Sequence, residues 1–133
     1  MDISVKAVLL DERDRLLLGL NPRAEWELLG GRADPGDADP AATLRRELRE
    51  EAGLAVTVGA LIDVWYYRPE PSRSDARVAV VSYLARVTGA SAAVASEEHG
   101  RLRWFALDEV DGLPIPEGYR ATVRRVREAL GRA

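Results

Sequence analysis

The 133-residue chain contains no cysteine. Disulfides, thiolate metal sites and cysteine nucleophiles are excluded together. Histidine is nearly absent too. His99 is the only one, and beside Gly100 it reads as a surface loop residue rather than a catalyst. Nothing approaches the roughly 18 consecutive apolar residues of a membrane span. The opening Met-Asp-Ile-Ser-Val-Lys lacks the apolar run of a signal peptide, so a cytoplasmic protein is expected. A basic excess is also missing. Lys+Arg is 19 against Asp+Glu 22, a net charge of −3, which argues against a general nucleic-acid binder. The length suits one domain. With 47% hydrophobic and 31% charged residues, the chain can bury a core.

The pattern along the chain favours strands over helices. Ile3 to Leu10 and Arg15 to Leu20 are apolar runs around the polar Asp11-Glu12-Arg13-Asp14, as in a hairpin. Trp26-Glu27-Leu28-Leu29 runs into Gly30-Gly31, and Gly31 to Asp39 reads as a loop. Asp39 as N-cap and Pro40 at the first helical position start a helix that reaches Ala52, where Gly53 stops it. Val56 to Tyr67, bent at Gly59, and Ala76 to Val87 are strands. Arg101 to Leu107 alternates as a half-buried strand, with Leu102, Trp104 and Ala106 on one face and Arg101, Arg103 and Phe105 on the other. A last helix begins near Pro116 and packs through Tyr119, Val123, Val126 and Leu130. Its arginines (120, 124, 125, 127 and 132) read as a solvated face. The chain is expected to form one α/β (α+β) domain with a mixed sheet.

The helix from Pro40 to Ala52 breaks local rules. Ala41, Leu44, Leu48 and Ala52 form an apolar stripe, with Glu47, Glu50 and Glu51 gathered beside it. Glu51 is at the stripe's edge and should be partly covered. Glu47 and Glu51 repel at i,i+4, at a cost of roughly 0.2–0.5 kcal/mol. Glu50 and Glu51 also oppose the helix dipole in the last turn. Arg46–Glu50 is the only compensating i,i+4 pair among these acids. A divalent cation would relieve the conflict. Carboxylate oxygens without thiolate or imidazole favour a hard ion, Mg²⁺ or Mn²⁺. The glycines just before the helix would let a phosphate approach closely. A solvated acidic face and ordinary turn glycines are the simpler alternatives.

Gly31, Asp37 and Arg46-Glu47-Leu48-Arg49-Glu50-Glu51-Ala52-Gly53-Leu54 together resemble the Nudix box of the MutT-like hydrolases: Gly, five residues, Glu, seven residues, then Arg-Glu-U-x-Glu-Glu-x-Gly-U, with U aliphatic. The right half matches at every defined position. The left half departs twice. Asp37 stands for Glu, and eight residues separate it from Arg46. The resemblance implies the Nudix fold, a mixed β-sheet sandwiched between α-helices, and Mg²⁺- or Mn²⁺-dependent hydrolysis of a nucleoside diphosphate linked to another moiety. It implies Glu47, Glu50 and Glu51 as metal ligands, with a backbone carbonyl from the Gly31 region. Arg46 would hold the glutamates by ion pairing. The general base varies in the family, so the box glutamates and the later-loop Glu97 and Glu98 are all candidates.

Substrate contacts are harder to read. Trp26 and Trp65, with Tyr66 and Tyr67, are candidates to stack on a base. Arg23, Arg32, Arg68 and Arg73 are candidates to touch phosphate. For each aromatic, core or core-edge packing is the simpler reading. The Trp26 to Gly31 run leans toward members acting on ADP-ribose or sugar nucleotides. A house-cleaning (d)NTP pyrophosphohydrolase and a non-catalytic nucleotide sensor are the alternatives. Isopentenyl diphosphate isomerase shares the box but uses a cysteine, which this chain lacks. The expected partner is a small nucleotide, with neither nucleic acid nor membrane. A homodimer is neither supported nor excluded by the size.

Overall fold

In the computed structural model, residues 2–68, 77–89 and 101–131 are described. Strand β1 (Asp2–Leu10) is central. Its side chains alternate between two buried layers, because a helix covers each face of the sheet. Val5, Ala7 and Leu9 enter one core and Val8 and Leu10 the other. That double burial explains its near-continuous apolar run.

β1 turns into β2 (Leu16–Leu20) through residues 11–15, where Asp11 accepts the Arg13 and Arg15 N–H groups at 2.9 and 2.8 Å. The two strands meet at Leu10 and Leu16 and then diverge. β2 pairs with β3 (Trp26–Glu27) and β7 (Arg101–Phe105), while β1 pairs antiparallel with β4 (Leu29–Arg32). The far edge of β1 pairs in parallel with β6 (Val78–Val87), from Asp2↔Val78 to Leu10↔Arg86. β5 (Val56–Tyr67) closes that side antiparallel to β6. The result is the expected mixed sheet between helices.

α1 (Pro40–Ala52) has the predicted bounds. Asp39 accepts the Ala42 N–H at 2.8 Å, and Pro40 opens the first turn. Gly53 is left-handed at φ 66°, and the Gly53 and Leu54 N–H groups return to the Arg49 and Leu48 carbonyls. Leu44, Leu48 and Ala52 are buried against Val5, Ala7, Leu9 and Leu29. α2 (Glu117–Ala129) covers the opposite face through Tyr119, Val123 and Val126. Its Thr122 donates to Asp63 of β5 at 2.9 Å. The arginines of α2 are paired rather than merely solvated: Arg124 and Arg127 with Asp111, Arg125 with Asp63, and Arg120 with Glu117. Arg132 lies outside the described residues. Among the described residues no helix is long and apolar enough to cross a membrane.

Three expectations change. Gly30 and Gly31 belong to strand β4, opposite Lys6 and Val5, and the loop begins only at Ala33. The last strand ends at Phe105, and a 3-10 helix (Leu107–Gly112) follows. Phe105 is buried edge-on against Trp26 at 4.9 Å, so β7 has no purely polar face. The bend near Gly59 is present as two register shifts, between Val58 and Leu61 and between Leu61 and Asp63.

Replacing Asp39 by Ala removes the α1 cap. The expected loss is about 1 kcal/mol of stability, read as a lower urea midpoint at unchanged m-value.

Candidate active site

Two adjacent glycines set the distance between β4 and α1. Gly30 has φ 140°, a conformation that favours glycine, and a Cβ there would collide with the Val5 carbonyl oxygen. Its N–H donates to Glu51 Oε1 at 3.0 Å. Gly31 is crowded from the other direction. A Cβ on it would lie 2.6 Å from the Glu47 carboxylate. The helix therefore rests its acidic side directly on bare backbone.

Glu51 is 2% exposed, deeper than the partial cover that its position on the helix implies. A carboxylate so buried is costly without compensation, and the Gly30 N–H supplies part of it. Glu47 lies above Gly31 with its side chain 14% exposed. Burial pushes its carboxyl above the ordinary range. The Arg46 hydrogen bond offsets this in part, and the like charges of Glu51 and Glu50 add to it. Glu50 is 60% exposed and leans on Arg46.

Arg46 is the hub of the acidic cluster. Its Nη1 donates to Glu47 Oε1 at 3.1 Å and to Glu50 Oε2 at 3.4 Å. Its Nε and Nη2 donate to Asp37 Oδ1 and Oδ2 at 3.1 and 3.0 Å, a two-point grip. Nη2 also reaches the Arg32 carbonyl at 3.2 Å. Asp37 additionally accepts the Asp34 N–H and the Thr43 hydroxyl, each at 2.9 Å. These donors, Arg46 foremost, hold the Asp37 carboxyl well below the usual carboxylate range. The shorter acid and the extra residue in the loop are thus accommodated. Thr43 was not visible as a site residue in the sequence. Its one signal is a hydroxyl one turn before Arg46 and Glu47 on the same side of the helix.

The glutamates share one side of α1, but their carboxylates do not converge. Glu51 is tied to Gly30, and Glu50 is turned outward to Arg46. Among the described residues no group of three acids or histidines is arranged to hold a cation. The donor set nonetheless fits a hard divalent ion. The Glu47 carboxylate lies against a backbone position with no room for a side chain, and Glu47 is desolvated beside like charges that a cation would offset.

The remaining candidates are scattered. Arg32 pairs with Asp2 at 3.4 Å, and Arg23 with Glu25 at 3.3 Å. Arg68 is exposed just past β5. Trp26 is 8% exposed within the α2-side core. Trp65 packs edge-on against Tyr119 at 5.1 Å, and Gly118 lacks room for a Cβ because of that indole. Tyr67 lies beside it, edge-on at 6.0 Å, and Tyr66 is exposed with Arg77 over its ring. Glu97, Glu98, His99 and Arg73 lie outside the described residues.

Substituting each glycine tests this construction. Gly31→Ala should leave the fold intact but displace Glu47, weakening Mn²⁺ binding at least tenfold in a calorimetric titration. Gly30→Ala should instead cost several kcal/mol, because backbone must move, and show as a large fall in the thermal midpoint.

Comparison with solved structures gives likenesses over nearly the whole chain. A MutT Nudix hydrolase from Burkholderia pseudomallei is 26% identical, with TM-score 0.75, covering 94% of this chain and 97% of that one. A C. elegans Ap4A hydrolase is 19% identical at TM-score 0.82, over 98% of both chains. The Nudix domain of Shewanella oneidensis NrtR, solved with ADP ribose, is 20% identical at TM-score 0.78, over 98% of this chain and 88% of that one. No curated protein matches the chain. The NUDIX domain model matches residues 2–127, and the chain belongs to the Nudix hydrolase family.

Proposed function

We propose that this protein is a Mg²⁺- or Mn²⁺-dependent pyrophosphohydrolase that cleaves a nucleoside diphosphate linked to another moiety, of the ADP-ribose or sugar-nucleotide type. The observation that carries the reading is the acidic side of α1 resting on Gly30-Gly31. In this reading Glu47, Glu50, Glu51 and the Gly31 carbonyl hold the cation. Bound there, the ion supplies charge neutralisation for phosphoryl oxygens and a lower pKa for water.

The chain's own groups do the rest. Glu51, buried and tied to Gly30, fixes the depth of the site. Arg46 orients Glu47. Glu50 is exposed, so it can turn toward substrate without disturbing the core, and it is the box residue best placed to take a proton from attacking water. Glu97 and Glu98 remain alternative bases. Arg23, Arg32 and Arg68 are exposed cations available to phosphate oxygens. Trp65 offers part of a ring to a base. Trp26 serves as a buried wall, since little of its ring reaches solvent.

The test is a panel of ADP-ribose, sugar nucleotides, dinucleotides, and canonical and oxidised dNTPs, each with Mg²⁺ and with Mn²⁺. Turnover of ADP-ribose or a sugar nucleotide above the dNTPs is expected. Glu50→Gln should lower kcat on the preferred substrate by roughly 10²–10³-fold without changing the thermal midpoint of the metal-free protein. Preference for dNTPs would favour the house-cleaning alternative, and no turnover on any compound would favour a sensor.

A further inference from the structure

Thr43 lies on the side of α1 that carries Arg46, Glu47 and Glu50, three, four and seven residues further on. It is 0% exposed, one residue before Leu44. Its hydroxyl has two acceptors within reach, Asp37 Oδ2 at 2.9 Å and the Asp39 carbonyl at 3.4 Å. A helix threonine commonly bonds back to the carbonyl four residues earlier. Here the charged, nearer acceptor takes the proton. The bond therefore reaches out of the helix and into the loop.

From Asp37 the contacts continue without a gap. Its carboxylate grips Arg46 Nε and Nη2, leaving Nη1 to Glu47 and Glu50. A planar guanidinium held at two nitrogens has its third fixed in direction. If Asp37 tilts, Nη1 swings, and Glu47 loses the donor that keeps it over Gly31. Besides Arg46, Asp37 accepts, among the described residues, from the Asp34 N–H, which belongs to the same loop, and from the Thr43 hydroxyl, which belongs to the helix. Thr43 is thus the side chain that ties the loop's carboxylate to the rigid core.

We propose that Thr43 is a positioning residue, whose buried hydroxyl orients Asp37 and through it Arg46 and Glu47. Its effect on catalysis rests on the reading of Glu47 as a metal ligand. Its effect on Arg46 does not.

Thr43→Val removes the hydroxyl at nearly constant size, and Thr43→Ser keeps it. Three quantities are read on each variant: the Arg46 Nε–H resonance in a ¹H–¹⁵N spectrum, Mn²⁺ affinity without substrate, and kcat and KM with Mg²⁺ on the preferred compound of the panel. Thr43→Val should move or broaden the Arg46 resonance, weaken Mn²⁺ binding about fivefold and lower kcat about tenfold, with KM within about twofold. Thr43→Ser should restore all three. Adding Thr43→Val to Asp37→Asn should cost nothing beyond Asp37→Asn alone. A folded Thr43→Val protein with an unchanged Arg46 resonance overturns the proposal, as do effects that add fully to those of Asp37→Asn. If valine prevents folding, Thr43→Ala carries the same readouts. Should the wild type bind no Mn²⁺, the metal reading fails, and the Arg46 resonance still decides the role of Thr43.

Discussion

The hydrogen bond from the Gly30 N–H to Glu51 is where the acidic helix meets the sheet. Because Gly30 turns its N–H toward the helix, the acidic side of α1 meets backbone there rather than a side chain. Because Gly31 has no Cβ, Glu47 comes down beside it. Together the two conditions bring carboxylates down onto the backbone of β4. The core beneath supports this placement. Leu44, Leu48 and Ala52 fix the helix on Val5, Ala7 and Leu9, so the acids are aimed by packing as well as by polar contacts.

Arg46 supplies the second constraint. It neutralises part of an acidic cluster that burial and like charge make unfavourable, and it does so from a position set by Asp37. The division of its nitrogens is significant. Two face the Asp37 carboxylate in the loop, while one faces the glutamates. The orienting grip and the adjustable contact are thus made by different nitrogens of the same side chain.

Much of α1 was legible because its signals are local. Asp39-Pro40 and Gly53 act within one turn of the helix, and the bounds follow from them. The spacing of Glu47, Glu50 and Glu51 likewise placed them on one side. What the sequence hid depends on residues far apart in the chain. Gly30-Gly31 looks like a loop until β1 pairs with it. Glu51 looks like an edge residue until those glycines admit the helix. Phe105 looks solvent-facing until Trp26 meets it. The carboxylates look convergent until the reach of Arg46 is known. The role of Thr43 needs the loop's path, which no periodicity encodes. Trp26, an attractive stacking residue in the sequence, is core because two strands and the α2-side cluster close over it.

The parallel register of β1 and β6 has a kinetic meaning. Residues 2–10 find their neighbours at residues 78–86, so the middle strand of the sheet stays half-paired until most of the chain has been made. Parallel pairing over such separation must meet its loop-closure cost before contacts repay it, and folds that depend on it form slowly. β4 hangs on the other edge of the same strand, carrying the two glycines against which the acidic helix docks. The setting of the Glu51 carboxylate, by contrast, lies wholly within residues 2–54, so its contacts do not wait for β6.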